Sequence, residues 1–355
     1  MLQINSNRNL QSQQRIISLD LLRIVAAFAV IMIHTSSPRF SEFSSEWEIV
    51  NIYDSLSRWC VPVFVMISGA LFLDTSKNVS IKKLYGKNVL HILSAFLIWS
   101  IVYKIYTWQT YQQDLGFKNF LRDITYGHFH LWFLKMLLGL YIAVPILRVI
   151  ASNKKIELYF LSLAIVTANM LPFFFHYVEM FFDIECFRHF YEGMKLKIAS
   201  EYVGYFVLGH VLKTYVLTRK QIWGIYLLGV ICFIGTIVLN SIFSHHVGLP
   251  TEECYGYLNP LVLMEAIAVF LFVLHVGKHI SIKLHPAINN LSSMSFGIYL
   301  VHMLIMMLLK DNFGIDTHVF HPLFSIPCMS LLTFVLSYLC AWLLHFIPFS
   351  KRFLL

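Results

Sequence analysis

Residues 16–36 read IISLDLLRIVAAFAVIMIHTS, and this apolar run is long enough to cross a bilayer, which needs roughly 20 residues. The run nevertheless carries Asp20, Arg23 and His34. An ionisable side chain inside a membrane span costs on the order of 3 kcal/mol on insertion scales, so such residues are rare unless they have a function. At about 100° per residue, Arg23 and His34 lie within about 20° of each other on a helix and about 16 Å apart along its axis. The stretch therefore predicts a membrane span with one ionisable face.

The spacing of the acidic residue adds a second feature to this face. Asp20 precedes Arg23 by three residues, the spacing at which side chains on a helix can pair. Two interpretations are open at this point. Asp20 and Arg23 can simply reach outward to the interface while His34 caps the far end of the span, or the three residues can belong to a site.

Composition extends the membrane prediction to the whole chain. Hydrophobic residues make up 58% and charged residues 13%, whereas soluble domains are nearer 25% charged. We therefore expect an all-α, polytopic membrane protein with the lipid bilayer as a partner. The net charge of +8 is spread over short segments, and no basic tract is long enough to follow a phosphate backbone, so nucleic-acid binding is not expected.

Hydropathy divides the chain into ten predicted membrane spans. Their approximate bounds are 16–36, 55–73, 88–108, 131–150, 156–175, 201–217, 222–243, 258–277, 294–310 and 324–347. With the N-terminus in the cytoplasm, most Lys and Arg residues fall in inner segments and most acidic residues fall outside, as the positive-inside rule requires. The sequence thus predicts cytoplasmic tails at 1–15 and 348–355, around one transmembrane domain at 16–347. No cleavage site follows the first run, so we expect it to remain as the first span.

The six cysteines show no metal-ligand spacing, and no metal site is predicted. Cys186 and Cys254 fall in predicted outer loops, where a disulfide is chemically permitted. A bridge between them and two free thiols are both open.

The second predicted span opens SRWCVPVFVMISGALF, with Arg58 near its outer end. The pattern R-x-x-x-P-x-F-x-x-x-S-G in this span, and L-D-x-L-R followed by an apolar spacer and His in the first, resemble the first two helices of the membrane acyltransferase-3 family. Members of that family move acyl groups, commonly acetyl, from acyl-CoA to extracytoplasmic glycans. The resemblance implies that His34 is catalytic and that Arg23 is functionally important. Arg58 would hold the acceptor or stabilise an oxyanion, although an Arg at this position can also serve only as an interfacial anchor.

The segment before the third span carries the expected donor site. It reads KKLYGKNVLHILSAFLIWS, where the family usually has R-x-x-x-R followed by Pro; this chain has Lys87 and His91 at that spacing, and Ala95 in place of the Pro. Lys82, Lys83 and Lys87 can bind the phosphates of CoA as point charges, or they can only anchor the chain on the cytoplasmic side.

Two later motifs complete the resemblance, which runs in order from about residue 16 to 345. HLWFL begins at His130 and includes Trp132, and SFGIYLVH carries Tyr299 and His302. The resemblance implies that these residues bind the acceptor. Alternatively, Trp132 is an interfacial belt residue and His302 a hydrogen-bonded packing residue. Glu265, alone in the eighth span, requires a buried partner.

The sequence therefore predicts an O-acyltransferase of the bacterial inner membrane, with acetyl as the expected acyl group. Acetyl-CoA would be a substrate and no cofactor would be bound. The acceptor would be a hydroxyl on a lipid-linked or cell-surface glycan, and a homo-oligomer is compatible with this interpretation. His34 would act as a general base or carry the acyl group itself, with Asp20 and Arg23 holding CoA. A glycan flippase or transporter and a non-catalytic scaffold are the alternatives.

Overall fold

The computed structural model describes residues 2–77, 79–112, 116–179, 182–196, 199 and 201–347. Helices account for all regular structure in this part of the chain, and no strand occurs in it. The predicted C-terminal tail at 348–355 lies outside the described residues. The helices are α1 Leu2–Phe40, α2 Trp47–Ser55, α3 Cys60–Phe72, α4 Ile81–Lys83, α5 Leu90–Tyr111, α6 Phe117–Tyr126, α7 Trp132–Ala151, α8 Lys154–Ala164, α9 Leu171–Val178, α10 Glu185–Gly193, α11 Val203–Thr214, α12 Arg219–Val247, α13 Pro260–Val276, α14 His285–Phe313 and α15 Pro322–His345.

Shorter helical turns join several of these elements. π-helical turns at Leu84–Val89 and Ile165–Met170 connect α4 to α5 and α8 to α9. A 3₁₀ turn at Phe129–Leu131 precedes α7, a second at Gly277–His279 follows α13, and a third at Ile282–Leu284 precedes α14. The joined elements therefore form longer continuous helical stretches.

Nine helical stretches among the described residues are long and apolar enough to cross a membrane, which makes the chain a multi-pass membrane protein. They are Ile17–Phe40, Trp47–Phe72, Ile81–Tyr111, Phe129–Ala151, Lys154–Val178, Arg219–Val247, Pro260–His279, Ile282–Phe313 and Pro322–His345. Each corresponds to one predicted span. The predicted span at 201–217 contains α11, whose 12 residues reach only about 18 Å, well short of the roughly 30 Å of a hydrocarbon core. The tenth span and the cytoplasmic termini remain predictions.

Helix α1 is longer than the predicted first span at both ends. It begins at Leu2 and ends at Phe40, because no glycine or proline occurs before Pro38 and the polar N-terminal residues include several good helix formers. The second predicted span is also extended, by α2 and the turn that leads into α3.

Contacts divide the chain into two compact units, each assembled from three stretches. The first unit comprises Met1–Leu22, Ser55–Asn78 and Val144–His279, and the second comprises Arg23–Asp54, Val79–Ala143 and Ile280–Leu355.

Close backbone packing defines the first unit. Helices α3 and α11 lie side by side, with Gly69 against the carbonyl group of Phe206 and Gly209 against that of Met66. A Cβ atom at either glycine would overlap the facing backbone, so only glycine permits this approach. Gly204 likewise lies against Ala164.

Glu265, in the same unit, has the buried partner that its position requires, because Thr236 on α12 donates a 2.5 Å hydrogen bond to it.

The second unit packs around α14. Apolar side chains of α1, α14 and α15 form a buried cluster: Ile31, Met294, Ile298 and Ala341. From α5, the Tyr103 hydroxyl donates to the carbonyl oxygen of Leu300 at 2.8 Å and accepts from the backbone N–H of Leu304 at 3.0 Å. These bonds fix α5 against the middle of α14, where the histidines described below are found.

Candidate active site

Three histidines from three separate elements meet inside the second unit. His34 comes from α1, His130 from the turn before α7, and His302 from α14. The ring centroids of His34 and His302 are 5.2 Å apart, those of His130 and His302 are 5.2 Å apart, and those of His34 and His130 are 6.4 Å apart. His130 and His302 are buried, and His34 is half-buried. The structure therefore brings the predicted catalytic residue together with two predicted acceptor residues.

A backbone contact positions His130 beside α14. The hydroxyl of Tyr299 donates a 2.7 Å hydrogen bond to the carbonyl oxygen of His130. Tyr299 lies one helical turn before His302, so the same face of α14 holds the turn at Phe129–Leu131 and presents an imidazole to it. Tyr299 is thus a structural support for the cluster. Trp132, which follows this turn, is half-buried and makes an edge contact with Phe133.

The tautomer of His302 follows from its hydrogen bond. Its Nδ1 lies 2.6 Å from the carbonyl oxygen of Tyr299. A carbonyl oxygen can only accept, so Nδ1 carries the proton and Nε2 of the neutral ring carries a lone pair. That Nε2 is buried and has no hydrogen-bond partner among the described residues. The cluster consequently contains an imidazole nitrogen that can take up a proton.

His128 is a fourth member of the cluster, and sequence reasoning missed it. Its Nδ1 lies 2.8 Å from Nδ1 of His130, so one ring donates and the other accepts, and the two cannot both be imidazolium. The ring of Tyr103 stacks on His128 at a centroid distance of 4.4 Å. Burial lowers the pKa of His128 to about 4, so this ring is neutral near pH 7. The sequence H-F-H at 128–130 could have indicated a pair of histidines, but only its second histidine belongs to the HLWFL motif.

Four imidazoles in one place raise the question of a metal ion. In the part of the chain that the structure describes, no group of three His, Cys, Asp or Glu side chains has the geometry to hold one. The groups that the cluster offers are hydrogen-bonding and proton-accepting nitrogens.

Arg58 lies in the first unit, and a loop residue covers its guanidinium group. Arg58 is buried, its guanidinium carbon is 4.3 Å from the centroid of the Tyr255 ring, and a nitrogen is 3.8 Å from a carboxylate oxygen of Glu252. Tyr255 is itself buried, and its hydroxyl accepts a 3.3 Å hydrogen bond from Ser55. The loop between α12 and α13 thus holds Arg58, and no sequence motif indicated these partners.

The predicted donor residues are spread over both units. Asp20 is buried in the first unit, and Arg23 is half-buried in the second. Three predicted lysines, Lys82, Lys83 and Lys87, are exposed on α4 and the π-helical turn that follows it. His91 is half-buried, with its ring 5.5 Å from that of Phe296. Exposure of the lysines fits phosphate binding and membrane anchoring equally, so their donor role stays a prediction.

A cavity of about 180 Å³ lies within the first unit, beside the start of the first membrane span. Its lining includes Ser18, Tyr215 and two lysines, Lys213 and Lys278. Lys213 donates a 2.9 Å hydrogen bond to the carbonyl oxygen of Ala70, whereas Lys278 is exposed. The wall of this cavity thus combines apolar surface with positive charge.

Behind this cavity is a buried polar group that the sequence did not suggest. The carboxylate of Glu157, on α8, accepts a 2.7 Å hydrogen bond from the Tyr215 hydroxyl and lies 2.6 Å from Nδ1 of His210 on α11. Glu157 and His210 are both buried. This group ties α8 to α11 and fixes the tyrosine on the cavity wall.

Comparison with known proteins identifies the family. The family profile described as an acyltransferase domain, acyltransferase 3, matches residues 16–342, nearly the whole chain. The chain belongs to the acyltransferase-3 family. No curated protein and no solved structure gives a significant match. The family resemblance inferred from the sequence motifs is confirmed.

As a membrane acyltransferase, the acyltransferase-3 protein requires a group that can take a proton from an acceptor or carry the acyl group itself. A neutral imidazole can do either near pH 7. His34 lies within a membrane span, and the imidazole ring of His302 lies beside the ring of His34. The histidine cluster is therefore the candidate active site, and Arg58 with its loop partners forms a second candidate element.

Proposed function

We propose that this protein is an O-acyltransferase of the bacterial cytoplasmic membrane. It moves an acyl group, acetyl in the first instance, from cytoplasmic acyl-CoA to a hydroxyl of a lipid-linked or cell-surface glycan. Family membership supports the acyltransferase class. The observation that carries the proposal is the position of His34. This residue lies inside a membrane span, and its ring centroid is 5.2 Å from the ring centroid of His302.

The proposed reaction exchanges a thioester for an oxygen ester. The acceptor oxygen forms a bond to the carbonyl carbon, the carbon–sulfur bond breaks, and the thiolate of CoA takes up a proton to leave as the thiol. In one route His34 removes the hydroxyl proton as the oxygen attacks. In the other, a nitrogen of His34 attacks the thioester first and holds the acyl group until the hydroxyl displaces it. Both routes make His34 indispensable.

The other proposed site residues divide between the two substrates. Asp20 and Arg23, together with the lysines that precede α5, would hold CoA on the cytoplasmic side. Arg58 would orient the acceptor or stabilise the oxyanion that forms on the carbonyl oxygen. This division depends on the predicted topology of ten spans with both termini in the cytoplasm. A flippase or a scaffold would need neither an acyl donor nor a general base or acyl carrier at His34.

Radiolabelled acetyl-CoA added to membranes from expressing cells tests the proposal. We expect label to move into the lipid-linked or glycan fraction with wild-type protein, and His34→Ala to abolish that transfer. His189→Ala is the matched control, because His189 is an exposed histidine on α10, and we expect it to retain transfer. Absence of labelled product with wild-type membranes that contain the inserted protein would favour a transport or scaffold function. Transfer by His34→Ala would refute the assigned role of His34.

A further inference from the structure

Each route open to His34 leaves a proton that needs a second acceptor. When His34 acts as the base, it becomes an imidazolium whose proton must be passed on, and must finally reach the departing thiolate, before the next turnover. When His34 carries the acyl group, its nitrogen is occupied, and another group must take the proton of the attacking hydroxyl. We propose that His302 is this second proton acceptor. The inference rests on the proposed function and assigns one more residue to the same site.

The structure supplies His302 with a fixed tautomer. Its Nδ1–H donates to the carbonyl oxygen of Tyr299, so the opposite nitrogen, Nε2, is the one that can accept a proton. Nε2 is buried without a hydrogen-bond partner among the described residues, and a buried polar atom left in this way costs about 1–3 kcal/mol. The lone pair on Nε2 is therefore available to accept a proton, whichever neighbouring group brings it.

The neighbours of His302 favour one proton at a time. Rings of His34 and His130 each lie 5.2 Å from its ring, and the ring of Tyr299 lies 6.0 Å away. His130 is in turn hydrogen-bonded to His128, and the ring of Tyr103 packs against both of these imidazole rings. These surroundings consist of neutral imidazole and phenol rings, so one added positive charge is shared by several polarisable rings and a second would be repelled.

The proton balance is complete in both routes. With His34 as base, the hydroxyl O–H bond breaks as the new C–O bond forms, and His34 passes the proton to Nε2 of His302. His302 then gives this proton up to the thiolate sulfur that the broken carbon–sulfur bond releases, so CoA leaves as the thiol and both imidazoles return to the neutral form. With His34 as acyl carrier, the hydroxyl proton goes directly to Nε2 of His302 while the bond between acyl carbon and His34 nitrogen breaks. His302 then returns that proton to the departing nitrogen of His34. In neither route does His302 form a covalent bond to the acyl group.

Two substitutions separate this role from a structural one. His302→Asn keeps an N–H near the Nδ1 position, which can still donate to the Tyr299 carbonyl, but it has no base. His302→Gln places an amide near the Nε2 position and also cannot take up a proton. A purely structural role would be preserved by one of these amides. A proton-accepting role is lost in both.

The test measures transfer of label from radiolabelled acetyl-CoA in membranes and in purified full-length protein. We expect both variants to lower kcat by about 10²-fold or more, as loss of an acid–base group does, with the KM for acetyl-CoA little changed. His189→Asn is the control and should match wild type. Thermal unfolding of each purified variant identifies which ones are folded. A folded His302→Asn or His302→Gln that retains a tenth or more of the wild-type kcat overturns the inference.

The same assay separates failure of this inference from failure of the proposed function. Wild-type protein that transfers label, His34→Ala that does not, and a His302 variant that does would leave the function intact and remove His302 from it. Wild-type protein that transfers no label would remove both.

Discussion

The imidazole rings of His34 and His302 lie with their centroids 5.2 Å apart and their planes inclined by 33°, although the residues come from the first and the penultimate helices. Nothing in the local sequence around either residue specifies this contact. It arises because α1 and α14 contribute to one buried cluster, with Ile31 three residues before His34 and Ile298 four residues before His302. The apolar packing of these two helices thus positions the pair of imidazoles.

Arg58 should depend on the aromatic ring that covers it. Tyr255→Leu removes a cation–π contact worth about 0.5–2 kcal/mol, so we expect the KM for the acceptor to rise by between about twofold and about thirtyfold. Tyr255→Phe keeps the ring and loses only the hydrogen bond from Ser55, and it should stay close to wild type. Acceptor titration at saturating acetyl-CoA measures the difference. Equal defects in the two variants would show that the hydroxyl, and not the ring, supports Arg58.

The exposed lysines before α5 should contribute to donor affinity through charge. Replacing Lys82, Lys83 and Lys87 together by Gln should raise the KM for acetyl-CoA and flatten its dependence on salt, because screening acts on these surface charges. Titration of acetyl-CoA at two ionic strengths provides the measurement. An unchanged KM, combined with failed or inverted insertion, would assign the three lysines to membrane anchoring alone.

Lys278 offers a separate test of the cavity beside Ser18. If the cavity of the first unit receives part of the donor, Lys278→Gln should also raise the KM for acetyl-CoA, because this exposed lysine lies on its wall. Lys195→Gln serves as the control, because Lys195 follows α10 and is not among the lining residues. A KM equal to that of the control would exclude the cavity from donor binding.

Sequence reasoning predicted the membrane class, nine of the helical stretches and the family, because each of these depends on apolar run length and on short motifs. It missed His128, Tyr255 and the Glu157–His210 pair. Each of these acquires its role from a partner that is remote in sequence, and no local pattern encodes such a contact.

The differences at helix ends have a similar origin. Hydropathy locates where apolar residues begin, whereas a helix continues as long as no residue interrupts its hydrogen bonds, so α1 extends beyond 16–36 in both directions. The reverse holds for α11, which ends at Thr214 although the apolar pattern suggested a span to 217. Tyr215 adopts an extended backbone there, and its hydroxyl bonds to Glu157.

Close packing of α3 and α11 should make Gly69 intolerant of any side chain. In Gly69→Ala the new Cβ would overlap the backbone carbonyl of Phe206, and overpacking of this kind costs typically about 1–3 kcal/mol. We expect a clearly lower unfolding temperature in detergent. Gly139→Ala is the matched control, because a Cβ there meets nothing within 4 Å, and it should be neutral or slightly stabilising. Equal unfolding temperatures for the two variants would contradict the proposed helix contact.

The ion pair between Lys104 and Asp123 should make stability depend on pH in the acidic range. Lys104 is buried on α5, and its Nζ lies 2.7 Å from a carboxylate oxygen of Asp123. The hydrogen bond from Lys104 lowers the pKa of Asp123. A lowered folded-state pKa means that the stabilisation is complete above the unfolded value, near 4, and is lost as pH falls through the folded value.

Substitution of the same pair provides a direct measurement. Asp123→Asn should lower the free energy of unfolding at pH 7 by about 1 kcal/mol, less than for a fully buried pair because Asp123 is partly exposed. The double variant Lys104→Met, Asp123→Asn should recover part of the loss, because no unpaired charge remains buried. Equal pH dependence of wild type and Asp123→Asn between pH 7 and pH 3 would show that the pair contributes nothing.

Cys186 and Cys254 should react as two separate thiols of very different accessibility. The structure has neither in a disulfide, with Cys186 exposed on α10 and Cys254 buried in the loop before α13. Burial raises the pKa of the Cys254 thiol, so less of the reactive thiolate is present at neutral pH. We expect N-ethylmaleimide to label Cys186 rapidly and Cys254 only slowly in the folded protein, and both completely after denaturation without reductant. Mass spectrometry of the non-reduced, alkylated protein distinguishes the two states. A peptide pair joined through Cys186 and Cys254 would show that the disulfide forms after all.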